Sequence, residues 1–181
     1  AAKVGRYEYL CQKAVKLGVR GDGPVVCTLS GGLDRSAITC VTAGLQPDKT
    51  LTTISSCFSE KAFDEQEYID AVTEHGAIQC NKVWPSTKLD LDLVDRLIWH
   101  QDEPSSAIAA HCVYEKARQL DIPVILVGEG ADEQLAGYTG FFETLFIELF
   151  RSRRWKELYS QLKNYSEVRE PVDGVSLGQL V

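Results

Sequence analysis

The sequence predicts an α/β domain built on a doubly wound, mostly parallel sheet with helices on both faces. Three observations carry that expectation. Short apolar runs such as Val25–Leu29 and Ile122–Val127 alternate with longer stretches of helical periodicity. The runs are continuously apolar, as in strands buried on both faces, and do not alternate as half-exposed strands do. Two glycine-rich polar segments directly follow such runs, as loops do at the ligand-binding edge of a parallel sheet.

Taken in order, a first helix is expected from Val4 to Leu17, where Tyr7, Leu10, Cys11, Ala14, Val15 and Leu17 recur at helical spacing. Gly18 to Pro24 breaks it. Val25–Leu29 (VVCTL) reads as a buried strand; Ser30, Gly31 and Gly32 follow, and Asp34–Leu45 reads as a helix. Leu51–Phe58 is the second strand, and Asp64–His75 an amphipathic helix stopped by Gly76. Ala77–Trp84 is the third strand, ended by Pro85. Leu89–Trp99 and Ser105–Leu120 are helical. Ile122–Val127 (IPVILV), the most apolar run, is expected at the centre of the sheet and ends in Gly128-Glu129-Gly130. Phe141–Tyr165 reads as one helix, with the cluster Phe141, Phe142, Leu145, Phe146, Leu149 and Phe150 toward a core. Strands alternating with helices imply βαβ units with right-handed crossovers.

A length of 181 residues suits one domain, spanning 1–181. Such a domain buries roughly 70% of its unfolded surface and needs no disulfide or metal to fold. Hydrophobic residues at 44% and charged residues at 25% are ordinary for a soluble protein. No apolar run approaches the roughly 18 residues of a membrane span, and the polar start Ala1–Tyr9 is unlike a signal peptide. The net charge of −7, with no Lys/Arg block, opposes nucleic acid and anionic membrane, so neither is an expected partner. Any local anion site must then use backbone N–H groups, a helix terminus or a bound cation. Cys11, Cys27, Cys40, Cys57, Cys80 and Cys112 form no C-x-x-C pair. With Cys27, Cys40, Cys57 and Cys112 in apolar surroundings, they read as packed thiols of a reducing cytoplasm. His75, His100 and His111 lack metal-ligand spacing, and Arg151, Arg153 and Arg154 read as a solvated helix face. The absence of methionine reads as a sign of an excised, trimmed or reconstructed domain.

Ser30-Gly31-Gly32-Leu33-Asp34-Arg35-Ser36 lies between strand and helix. Adjacent glycines let backbone approach a ligand closely, and the following helix aims free N–H groups at the turn, which favours an anion. Ser30 and Ser36 add hydroxyl donors. Asp34 would repel phosphate unless Mg²⁺ lies between them. Neither a Walker A pattern nor G-x-G-x-x-G occurs here. A plain tight turn with Asp34 as helix N-cap is the alternative. The segment closely resembles the PP-loop, S-G-G-x-D-S, of the ATP pyrophosphatases, which cleave ATP between its α and β phosphates. The difference is Arg35, where that family usually has serine.

The second segment, Gly128-Glu129-Gly130-Ala131-Asp132-Glu133, continues into Ala136-Gly137-Tyr138 and crowds carboxylates at a strand end. They repel one another unless solvated or neutralised by metal or substrate. A solvated acidic loop is the alternative. The segment is similar to the second signature of asparagine synthetases and β-lactam synthetases. Cys57-Phe58-Ser59 through Phe63-Asp64-Glu65 to Tyr68-Ile69, and Trp99-His100-Gln101-Asp102-Glu103-Pro104, resemble further stretches of the asparagine synthetase pattern.

That resemblance implies the adenine nucleotide alpha hydrolase-like fold and an ATP-dependent, AMP-forming amide synthesis. The cofactors are ATP and Mg²⁺, the default acceptor is aspartate, and the nitrogen comes from ammonia, another amine or a partner glutaminase. It implies that Asp34 and Asp132 carry Mg²⁺, and that Ser30, Gly31, Gly32, Asp34 and Ser36 bind pyrophosphate. Thr28, Leu29, Ser56 and Gly128 would hold adenosine, and Glu129 would orient or deprotonate the attacking nitrogen. Synthetases of this type usually begin with a glutaminase domain whose N-terminal cysteine attacks glutamine, and continue into a C-terminal helical region. Here the chain opens Ala1-Ala2 with Cys11 inside a helix, so the expectation is a synthetase part without that domain and with a shortened helical region. A related amide-forming cyclase and a catalytically silent nucleotide-binding or structural domain are the alternatives.

Overall fold

The computed structural model describes residues 2–21, 23–86, 90–102 and 107–168. The chain forms two compact units, Ala1–Glu129 and Gly130–Val181. The first holds strands β1 (Val25–Thr28), β2 (Leu51–Ser56), β3 (Ile78–Val83) and β4 (Val124–Leu126), with helices α1 (Ala2–Gly18), α2 (Leu33–Leu45), α3 (Gln66–Glu74), α4 (Leu91–Gln101) and α5 (Ile108–Gln119). The second holds α6 (Ala131–Leu135), α7 (Thr139–Arg151) and α8 (Trp155–Val168).

Among the described residues all strand pairings are parallel, in the order β3-β2-β1-β4. Cys27 of β1 lies between Thr53 of β2 and Leu126 of β4. Successive side chains of a strand point to opposite faces, so residues at odd separation are divided between two cores. Val26 and Ile54 pack with Val113 and Ala117 of α5 on one face. Leu29 and Cys57 pack with Ile69 of α3 on the other. The Cys27 thiol donates to Thr42 of α2 at 3.5 Å, which puts α2 on the α3 side. Each fully buried aliphatic side chain contributes roughly 1.5–3 kcal/mol, so both faces hold the sheet. The doubly wound reading of the sequence is therefore right for this unit.

Three expectations need correction. Ile122–Val127 is not the central strand: among the described residues β4 is an edge strand, and only Val124–Leu126 pairs. Ile122 and Ile125 are apolar because they pack on the α5 face. Hydropathy reports what covers the faces of a strand, not how many neighbours it has. Pro123, which has no N–H for a ladder, was the overlooked sign of an edge.

The span Phe141–Tyr165 is two helices, not one. Arg153 is left-handed at φ 56°, the Arg153 N–H donates to Phe150 O at 3.1 Å, and the Arg154 N–H donates to Leu149 O at 2.9 Å. This is the Schellman arrangement that closes a helix, built here without glycine and so without its usual sequence mark. The α7–α8 hairpin pairs Phe142 and Phe146 with Tyr165 and buries Leu149, whereas Phe141 and Phe150 are exposed. Arg151, Arg153 and Arg154 are exposed as expected, but they flank this turn, where Arg154 pairs with Glu157.

Of the four cysteines expected in apolar surroundings, Cys27 and Cys57 are buried, Cys112 is half-buried and Cys40 is exposed. On α2 the buried positions are Thr39 and Thr42, so the inward face is polar in composition and Cys40 falls outside it. Among the described residues no helix is long and apolar enough to cross a membrane.

Candidate active site at the carboxyl edge of the sheet

The chain leaves β1 for β2 on one side and reaches β4 on the other, so β1 marks the point where strand order reverses. In open parallel sheets the crevice beyond that point is where ligands bind. The β1–α2 loop occupies it. Gly32 is the N-cap of α2, with φ −72° and ψ 147°, and no side chain caps the helix. Asp34 is therefore not the cap; it lies in the first turn, where a carboxylate is favoured by the helix dipole. The loop is held by its own serines. The Gly32 N–H donates to Ser30 Oγ at 3.2 Å, and Ser36 Oγ donates to the Ser30 carbonyl at 3.1 Å. The Gly31 N–H donates to the Glu65 carboxylate at 2.9 Å.

Beside this loop a cleft of about 290 Å³ opens, lined by Thr28, Leu29, Ser30, Ser56 and Glu129 among the expected residues. Gly31, Gly32, Asp34, Ser36 and Gly128 do not line it. Gly128 instead packs on the start of α2, beside Arg35 and Asp34. Apart from Arg35, already singled out in the loop, the cleft also takes in residues to which the sequence gave no role in a site. Ile54, Phe58, Ala110, Val113 and Tyr114 make an apolar wall, and Arg35 and Glu65 add charges of opposite sign. Tyr114 adjoins the buried Val113 on α5, one step off the helix's packed face; that offset was the available signal.

Two polar groups in the cleft stand out. Ser56 Oγ is buried without a hydrogen-bond partner among the described residues. Arg35 makes no ion pair among the described residues. A buried hydroxyl left unpaired costs about 1–3 kcal/mol, so a ligand that supplies the partner recovers that energy. Among the described residues no three His, Cys, Asp or Glu side chains converge on a metal-sized site. A hard cation here would thus complete its shell with ligand oxygens, as Mg²⁺ does with phosphates.

In the second unit, Asp132 lies in the first turn of α6. A methyl group on Gly137 would overlap the Asp132 carboxylate, and the Gly137 N–H donates to the Asp132 carbonyl at 2.9 Å. The glycine of Ala136-Gly137-Tyr138 is thus the space in which Asp132 folds back. The Tyr138 hydroxyl donates to Glu133 at 2.9 Å. Together with the local backbone N–H, that bond holds the Glu133 carboxyl below its usual range. Of the fourth sequence landmark, Trp99, His100 and Gln101 end α4 and Asp102 closes it at φ 58°. Glu103 and Pro104 lie outside the described residues, as do Leu89 and Ser105 at the expected helix starts.

The sequence model of the asparagine synthase family matches residues 6–179. A relative from Methanocaldococcus jannaschii is 35% identical over 132 residues, covering 71% of this chain and 25% of its own length. Asparagine synthetase (glutamine-hydrolyzing) 1 of Bacillus subtilis is 31% identical over 139 residues, covering 76% of this chain and 22% of its own length. The amidase chyE of Penicillium rubens is 27% identical over 156 residues. The chain therefore spans about a quarter of the length of the curated relatives it matches. Among solved structures, the NH3-dependent NAD synthetase of Campylobacter jejuni superposes with a TM-score of 0.46 at 15% identity, over 72% of this chain and 58% of that one.

Proposed function

The chain belongs to the asparagine synthase family, and on that premise we propose that it binds ATP in the cleft beside β1 and activates a carboxylate as its adenylate for attack by an amine. The observation that carries this reading is the make-up of the cleft. One side is an apolar wall with the orphaned Ser56 hydroxyl, suited to a purine and its polar edge. The other side is Ser30 and Arg35, which flank the glycine turn leading into α2, suited to phosphates.

Each residue then has a task. Thr28, Leu29 and Ser56, which line the cleft, hold the adenosine end, together with the backbone at Gly128, which packs on the start of α2. Ser30, Gly31, Gly32 and Ser36 take the pyrophosphate, which leaves when the acceptor carboxylate attacks the α-phosphorus. Arg35 adds a cation at the same end. Glu129 accepts a proton from the attacking nitrogen or orients it. Asp34 would hold Mg²⁺, which would neutralise charge on the phosphates; the family resemblance gives Asp132 the same task. Pre-set donors and charges act on the transition state without reorganising, which is the larger part of such catalysis.

Aspartate is the default acceptor, with nitrogen from ammonia or a partner glutaminase. Incubation with Mg²⁺, ATP, aspartate and ammonium should yield AMP, pyrophosphate and asparagine. Formation of ADP in place of AMP would overturn the loop assignment. A second reading rests on Arg35 in the loop: a domain that binds nucleotide but does not turn it over. Tight binding of ATP with no AMP formed would select it.

A further inference from the structure

Glu65 stands at the N-cap position of α3, yet its side chain makes no capping bond to that helix. It reaches instead to the β1–α2 loop and accepts the Gly31 N–H at 2.9 Å. The two segments are in close contact: a Cβ on Gly31 would lie 3.0 Å from Glu65 Cβ and 3.1 Å from Tyr68 Cδ2. An anion therefore already sits on the first glycine amide of the loop, in the position that an anionic ligand would take. We propose that Glu65 is a competing carboxylate, which occupies the Gly31 amide in the ligand-free protein and must swing away before a phosphate group can take its place. The proposal rests on the nucleotide reading of the cleft and adds a residue that sets its affinity.

The geometry favours competition over permanent support of the loop. Two anions on one N–H group repel each other, so carboxylate and phosphate exclude one another there. The move needs no change of backbone, because the Glu65 carbonyl is fixed by the Tyr68 and Ile69 N–H groups, both at 3.1 Å, whatever the side chain does. The side chain is exposed, so leaving the loop uncovers no core. The Gln66 N–H at the amino end of α3 is already taken by Asp64 at 3.1 Å, so the released carboxylate turns to solvent, where it is fully hydrated. Apparent affinity falls by the fraction of protein held in the closed form, so a loop occupied by Glu65 nine-tenths of the time binds about tenfold more weakly than an open one.

The test is calorimetric titration of the full chain with Mg-ATP, and separately with inorganic pyrophosphate, for wild type, Glu65→Gln and Glu65→Ala. Both variants should bind each probe more tightly. The gain should approach about tenfold for alanine and be smaller for glutamine, which keeps an acceptor for Gly31 without the charge. Unchanged or weaker binding by a variant whose circular dichroism and melting match wild type would overturn the proposal and make Glu65 a support of the loop. Glutamine, nearly isosteric, carries the test if the alanine variant melts early. Failure of all three proteins to bind either probe would overturn the nucleotide reading and this proposal with it; wild-type binding without a gain in the variants would overturn this proposal alone.

Discussion

Gly128, just past β4, packs against Arg35 so closely that a methyl group on it would lie 2.9 Å from the Arg35 backbone nitrogen and 2.9 Å from Arg35 Cγ. The Asp34 carbonyl carbon would be 3.1 Å away. Strand end and helix start are thus in direct contact, made possible by the missing side chain. Gly128→Ala must push the first turn of α2 outward, because a backbone atom cannot rotate aside. The expected loss of stability is about 1–3 kcal/mol, as for other overpacked sites, read from urea unfolding. Nucleotide affinity should fall with it, since the displaced turn carries Asp34 and Ser36. An alanine variant as stable as wild type would show that the contact is slack.

Ser56 gives a prediction with two readouts of opposite sign. Its buried hydroxyl has no partner among the described residues, so Ser56→Ala should leave the ligand-free protein equally stable or more stable by up to about 1 kcal/mol. ATP binding should weaken about tenfold if the adenine edge supplies the missing bond. Melting curves with and without ATP separate the two effects. Destabilisation of the ligand-free form would mean that the hydroxyl is paired by solvent and carries no information about the ligand.

The β1–α2 loop beside the cleft could be read from the order of the residues, and the physical reason is local. A buried strand followed by Ser30-Gly31-Gly32 and a helix constrains its own geometry within a dozen residues or so. Relations across the sheet were less legible. Nothing in IPVILV says whether one or two strands lie beside it, because burial by helices and burial by strands leave the same apolar imprint. Phe58 and Tyr114 line the cleft for reasons fixed by the register of α5 on β2 and β3, which periodicity does not report. Glu65 read as part of a motif, but its partner Gly31 is reached only through the fold.

Arg153 shows the same limit in the second unit. A left-handed residue with a Cβ is less favourable than glycine by roughly 1 kcal/mol, and the turn after α7 accepts that strain in order to close both helices. Arg153→Gly should therefore stabilise the α7–α8 hairpin by about 0.5–1 kcal/mol, measured as a higher urea midpoint with an unchanged slope. Arg153→Val should lower it, since a β-branched residue tolerates this conformation least. The Arg154–Glu157 pair is exposed, so its removal should move the midpoint very little.

Arg35 decides between the two readings of the site. It lines the cleft beside Ser30 and Glu129, makes no ion pair among the described residues, and follows Asp34 in the first turn of α2. A guanidinium with no carboxylate partner is available for a phosphate oxygen, and such a charge-assisted bond is stronger than the neutral one a serine hydroxyl would make. If Arg35 grips the triphosphate, Arg35→Ser should weaken ATP binding about tenfold and flatten its dependence on salt, because a screened charge has been removed. If instead the long side chain crowds the cleft, the same substitution should tighten binding and raise the rate at which AMP appears. Titrations at two salt concentrations, with AMP release followed in parallel, distinguish the outcomes. The first would make Arg35 part of the nucleotide grip; the second would mark it as the residue that keeps this loop from turning over.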